Sequence, residues 1–135
     1  LSSEAPGYNN DWPSDISFIL NDKKCAMWTS PGDLGGVNGI FTPEWWYKNW
    51  GQYGLLKTLV INTEGTFLDG NKVSEIKIDD FELTYMSMLK LKLEVPEDAE
   101  HVGGLTIFGK GFGNYNQDIE VSINYKPITE EHEEA

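Results

Sequence analysis

An all-β fold, a single β-sandwich or jelly roll with little helix, is what this sequence predicts. Short segments alternate apolar and polar residues with a period of two, and Gly- and Pro-rich loops separate them. No stretch of ten or more residues carries a 3.6-residue period with caps at its ends. The 135 residues suffice for one domain with one core, with residues 1–127 forming the sandwich and 128–135 an acidic tail expected to be disordered.

Taken in chain order, Ile16 to Leu20 and Cys25 to Trp28 flank a three-residue turn, Asn21-Asp22-Lys23, and read as a hairpin. Leu55 to Ile61 reads as a strand whose unbroken Leu59-Val60-Ile61 end implies burial on both sides. Val73, Ile76 and Ile78 suggest another, continuing through Phe81-Glu82-Leu83 after a bend at Asp79-Asp80. Leu89, Leu91, Leu93 and Val95 alternate with Lys90, Lys92 and Glu94 until Pro96 ends the run. Leu105 to Phe108 is a further strand. Ile119, Val121, Ile123 and Tyr125 alternate with Glu120, Ser122 and Asn124, and Pro127 stops them. The glycines concentrate in two loops, 32–39 and 103–113, where positive φ lets the chain fold back. At most one helical turn is expected at Pro43–Tyr47, with Thr42 as its cap and Pro43 at its first position.

Composition narrows the function. A formal net charge of −12, four charges of it in the tail Glu130–Glu134, repels phosphate backbones and anionic membranes. No apolar run is long enough to span a bilayer, and no basic stretch precedes an apolar one as in a signal peptide. Opening at Leu1-Ser2-Ser3 without a Met, the chain is expected to be cut from a longer one. Cys25 is alone and reads as a small buried hydrophobe, which favours a reducing, cytoplasmic setting. With one Cys and two His there is no ligand set for a thiophilic metal.

The candidate site residues are aromatic and amide. Phe41 to Trp50 holds three of the five tryptophans, Trp45, Trp46 and Trp50, outside any two-residue period. Flat amphipathic rings in a loop either plug a core or offer a platform for a flat ligand such as a sugar ring. In a tight turn the neighbouring Trp45 and Trp46 diverge, one anchoring the loop and one facing outward. Tyr8 to Asp15 adds Trp12 among Asn10, Asp11 and other short polar groups. That loop reads as an Asx turn, or as a Ca2+ ligand set of Asp11 and Asp15 with Asn9 and Asn10 carbonyls. The Gly103–Gly113 loop lacks the Lys-Ser/Thr pair of a phosphate loop and precedes no helix; its tip presents Asn114, Tyr115, Asn116 and Gln117. Catalysis has poor material: His101 sits in an acidic turn, and no carboxylate pair stands out. The expectation is therefore a binding protein without catalytic residues or cofactor. Trp12, Trp45, Trp46, Trp50 and Tyr115 would stack, and Asn10, Asp11, Asn114 and Gln117 would hydrogen-bond.

Several longer motifs act as a set: Ser3 to Asp15, Trp28 to Asp33, Thr42-Pro43-Glu44-Trp45-Trp46, Gln52 to Lys57, Glu64 to Gly70, and Gly103 to Ile119. Together they resemble the C-terminal region of ArsR-like bacterial transcriptional regulators, which carry an N-terminal winged-helix DNA-binding domain. The resemblance implies a regulatory domain whose DNA contacts lie in that missing half, in keeping with the acidic surface. The thiolate and imidazole clusters of metal-sensing members are missing from this sequence, so arsenic or zinc sensing does not carry over. No ligand or binding residue follows from the resemblance.

The leading expectation joins the two readings: a cytoplasmic effector-sensing domain of a transcriptional regulator, its ligand sugar-like. One alternative is a structural or dimerisation domain, a homodimer with its tryptophans in core or interface. Another is a carbohydrate-binding module attached to a hydrolase, with a similar jelly-roll scaffold.

Overall fold

The computed structural model describes residues 1–6, 9–34, 39–46, 51, 53–84 and 87–124. The described chain is all-β: two three-stranded antiparallel sheets, with one 3-10 turn at Ile78–Phe81 as the helical element among these residues. β1 (Ser14–Leu20) and β2 (Lys23–Ser30) form the expected hairpin, and β3 (Leu59–Ile61), β4 (Thr66–Leu68), β5 (Asn71–Ser74) and β6 (Leu91–Glu94) follow. One sheet runs β2-β1-β6 and the other β3-β4-β5. No helix among the described residues is long and apolar enough to cross a membrane.

The first hairpin turns in two residues, not three. Leu20 pairs with Lys23, and Asn21 and Asp22 both take positive φ, 47° and 66°. Such a turn matches the right-handed twist of its strands, and Asn and Asp tolerate the conformation best after glycine. The second hairpin repeats the device at Asp69-Gly70, with φ of 51° and 86°. Asp-Gly is a strong short-range hairpin signal, and the expected strand list omits the β4 it creates.

Phe18 of β1, Ala26 of β2 and Leu68 of β4 form the core cluster, with Leu1, Trp28, Leu59 and Leu93 packed against it. It draws on both sheets, and the Ser74 hydroxyl ties them further by donating to the Cys25 carbonyl at 2.6 Å. Cys25 is buried as expected, and desolvation pushes its thiol pKa up. β1 lies between two strands and is buried from Ser14 through Phe18.

Several expected strands are shorter or lacking. Leu55 to Thr58 stays outside β3: Leu55 exchanges backbone hydrogen bonds with Leu1, and the Thr58 N–H donates to the Asp69 carboxylate. Val60 is exposed, so β3 is not buried on both sides; a three-stranded sheet with one face on the core leaves alternate residues outside. After β5 the chain bends into the 3-10 turn, where the Asp80 carboxylate accepts from the Lys77 N–H at 2.8 Å. Leu105 to Phe108 forms a single bridge, Thr106 with Ser2, instead of a strand. Gly104 at φ 69° kinks the approach, and Glu4 takes the Gly103 carbonyl. Ile119 to Asn124 has the strand pattern but pairs with no strand among the described residues, and its side chains are exposed. Tyr8, Tyr47, Trp50, Tyr125 and the tail 128–135 lie outside the described residues.

Candidate functional site

Among the described residues lies an open groove of about 620 Å³. Three chain segments build it. Ser2 to Pro6 forms one wall, Thr106 to Gly109 with Phe112 another, and Asp33, Trp46 and Gly51 close it. The walls meet because backbone groups tie them: Ser2 and Thr106 exchange hydrogen bonds at 3.1 and 2.9 Å, and the Glu4 N–H donates to the Gly103 carbonyl at 2.8 Å.

Trp46 reaches the groove through a turn in which its N–H donates to the Pro43 carbonyl at 3.1 Å. Thr42 does not cap this turn; its hydroxyl accepts from the Gly113 N–H at 3.0 Å, and the Phe41 N–H donates to the Gly113 carbonyl at 2.8 Å. The tryptophan loop is thereby stitched to the second glycine loop. An aromatic run results. Trp46 meets Phe112 edge-on, centroids 5.0 Å apart, and Phe112 stacks on Phe108 at 5.7 Å and 8°. Trp45 lies edge-on to Trp46 at 5.8 Å and is 75% exposed. The two neighbours diverge as a tight turn demands.

Polar groups flank this run. The Asp33 carboxylate accepts from the Asn9 N–H at 2.8 Å, the Ser2 hydroxyl donates to the Ser3 carbonyl, and Glu4 is exposed on the wall. Asp33 is buried, so the exposed acceptor beside the flat apolar rings is Glu4, an arrangement that suits a ligand with an apolar face and hydroxyl donors.

The other expected site residues do not converge here. Asn10 and Asp11 are exposed in an Asx turn, in which the Asp11 N–H donates to Asn9 Oδ1 at 2.9 Å. Trp12 packs beside Gly103, its backbone N–H donating to the Pro31 carbonyl at 2.9 Å. Asn114 Oδ1 accepts from the Gly54 N–H at 3.0 Å, a structural tie. Tyr115 is exposed outside the groove. Gln117 lines a smaller hollow of about 260 Å³ and donates to the Asp118 carbonyl and the Glu120 carboxylate. Trp50 lies outside the described residues. Phe108, Phe112, Asp33 and the Ser2–Pro6 wall are not among the residues the sequence points to; the two phenylalanines bracketing Gly109 and Gly111 are their one local signal.

The calcium reading fails at Asp15. Its carboxylate is buried and already engaged: the Thr29 hydroxyl donates at 2.7 Å, the His101 N–H at 3.0 Å, and the His101 ring nitrogen lies 3.1 Å away. The Thr29 hydrogen bond is the largest influence and, with His101, outweighs desolvation to hold the Asp15 pKa below the ordinary carboxylate value. No group of three or more His, Cys, Asp or Glu among the described residues is placed to hold a metal ion.

Comparison with protein-family models, with curated proteins and with solved structures found no match.

Proposed function

We propose that this chain is the effector-sensing domain of a cytoplasmic bacterial transcriptional regulator, and that a sugar-like molecule occupies the groove between Ser2–Pro6 and Thr106–Phe112. The observation that carries the ligand reading is the run Trp46–Phe112–Phe108 beside Asp33 and Glu4. The rings offer a surface for the apolar face of a pyranose, and the exposed Glu4 carboxylate accepts from its hydroxyls, with buried Asp33 holding the groove floor through the Asn9 N–H. The regulator reading rests on the resemblance to ArsR-like proteins. In this proposal the two sheets are halves of one jelly-roll sandwich, and a DNA-reading domain precedes Leu1. Because Ser2 to Pro6 line the groove, an occupant touches the segment that leads to such a domain. Binding then shifts its orientation by differential affinity for two states.

Titration of a sugar panel by calorimetry, with tryptophan fluorescence in parallel, tests the ligand. Binding that weakens at least tenfold in Trp46→Ala and is unchanged in Asn114→Ala supports the groove. No heat and no fluorescence change for any sugar overturns it. Sequencing the parent gene upstream of Leu1 tests the regulator reading separately: a winged helix supports it and a hydrolase domain replaces it.

A second reading has its own observation. Ile40, Phe41 and Trp45 are exposed large apolar side chains on one short stretch, the type of surface that a structural or dimerisation domain buries against a partner. Retention of dimer in Trp45→Ala would count against it.

A further inference from the structure

We infer that residues Ile119–Asn124 are an interaction strand that pairs with the open edge of β6 in a second copy of this chain, giving a reciprocal strand-exchanged dimer. The segment has strand chemistry without a strand partner among the described residues. Ile119, Val121 and Ile123 alternate with Glu120, Ser122 and Asn124, and the three apolar side chains are 60%, 62% and 55% exposed. In a lone segment this alternation leaves the apolar row in water; pairing with an edge strand covers that row and exchanges backbone hydrogen bonds to water for ladder bonds.

β6 offers the complementary half. It ends its sheet, pairing with β1 alone among the described residues, so its outer N–H and C=O groups form a template for a further strand. Leu93, opposite Phe18 in register, packs on the core cluster, while Leu91 one step along the same row is exposed. An added strand with Ile119, Val121 and Ile123 on that face covers Leu91 and extends the row. On the opposite face β6 and its approach present Lys90 and Lys92 with one carboxylate, Glu94, and the segment presents Glu120, whose carboxylate accepts from the Gln117 amide. Lys90 and Lys92 are spent on exposed pairs with Asp22 at 3.6 Å and Glu94 at 3.4 Å, which exchange at little cost. A chain of net charge −12 repels its own copies elsewhere, so self-association concentrates where one partner's lysines meet the other's carboxylates.

Sedimentation equilibrium of the full chain, with circular dichroism as the folding control, tests this. The wild type is expected to dimerise. Val121→Pro removes a ladder donor in a segment that pairs with no strand among the described residues, and is expected to yield a folded monomer. Lys92→Glu is expected to weaken the dimer roughly tenfold, because like charges opposed across a strand pair destabilise it and the symmetry counts twice. Glu120→Lys added to Lys92→Glu is expected to restore it. A monomeric wild type at all concentrations overturns the inference, whether amide exchange finds 119–124 protected within one chain or open. So does a dimer indifferent to Val121→Pro.

Discussion

Trp46 stands edge-on to Phe112 with ring centroids 5.0 Å apart and planes at 89°, joining two loops far apart in sequence. Such pairs contribute about 0.5–1.5 kcal/mol beyond the area they bury. Trp46 is half-buried and its neighbour Trp45 is 75% exposed. Trp46→Ala is therefore expected to cost about 2 kcal/mol, less than the ~3–5 kcal/mol of a fully buried aromatic. Trp45→Ala should stay within about 0.5 kcal/mol of wild type, as exposed substitutions do. Urea denaturation of the two variants measures the contrast. Equal losses would remove Trp46 as the anchor of the loop.

The acid limb of stability depends on Asp15. Its carboxyl titrates below the ordinary value near 3.8, chiefly through the Thr29 hydroxyl, with desolvation opposing and the His101 N–H and ring adding. A group whose folded pKa is depressed stabilises the fold above its unfolded pKa, and that contribution disappears as pH falls through the folded value. Thr29→Val keeps the β-branched shape and removes the hydroxyl. The variant is expected to be less stable at neutral pH, its Asp15 pKa higher, and the gap from wild type to close in acid. Carboxyl titration by NMR with denaturation across pH reads both.

The sequence shows what is local and hides what is tertiary. The alternation in β1, β2 and β6 was legible because each has an apolar row on the core cluster of Phe18, Ala26 and Leu68. β4 is missing from the expected strands: Thr66–Leu68 is too short to show an alternation of its own, and Asp69-Gly70 is its local signal. Ile119–Asn124 shows the converse: a perfect period of two declares which face wants burial and says nothing of whether a partner is within reach. At the site, the crowded turn shows that Trp45 and Trp46 diverge but not which of the two anchors the loop. Phe108 and Phe112 were not legible, since their meeting with Trp46 needs Thr42 to hold Gly113 and Ser2 to hold Thr106.

Lys57 couples the sheets. Its Nζ lies 2.9 Å from the Asp69 carboxylate, beyond the end of β4, and 4.1 Å from the centroid of the Trp28 ring on β2. Burial raises the Asp69 pKa, but the Lys57 hydrogen bond, the Thr58 N–H and the Lys57 charge together bring it below the ordinary value. A cation over an aromatic face is worth about 0.5–2 kcal/mol, more when desolvated, and the Lys57 side chain is only 13% exposed. Lys57→Met keeps the apolar stem and removes the charge. It is expected to cost about 1–2 kcal/mol in urea denaturation and to raise the Asp69 pKa, with Lys57→Arg retaining most of the stability. A Met variant as stable as wild type would show that the stem, not the charge, joins the sheets.

Ser17 is the opposite case, a side chain whose polarity costs stability. It lies in β1 between Met27 of β2 and Glu94 of β6 in register, fully buried, and its hydroxyl has no hydrogen-bond partner among the described residues. An unsatisfied buried hydroxyl costs about 1–3 kcal/mol, and removing it relieves the cost while leaving a void of one oxygen atom. Ser17→Ala is expected to raise stability by about 1 kcal/mol. Ser17→Val overfills the same site and is expected to lower it by about 1–3 kcal/mol, since the strand is enclosed by neighbours on both edges. Thermal and urea unfolding of the pair separate polarity from volume. A destabilised Ala variant would mean that the hydroxyl is satisfied, by a buried water bridging to the β1 backbone.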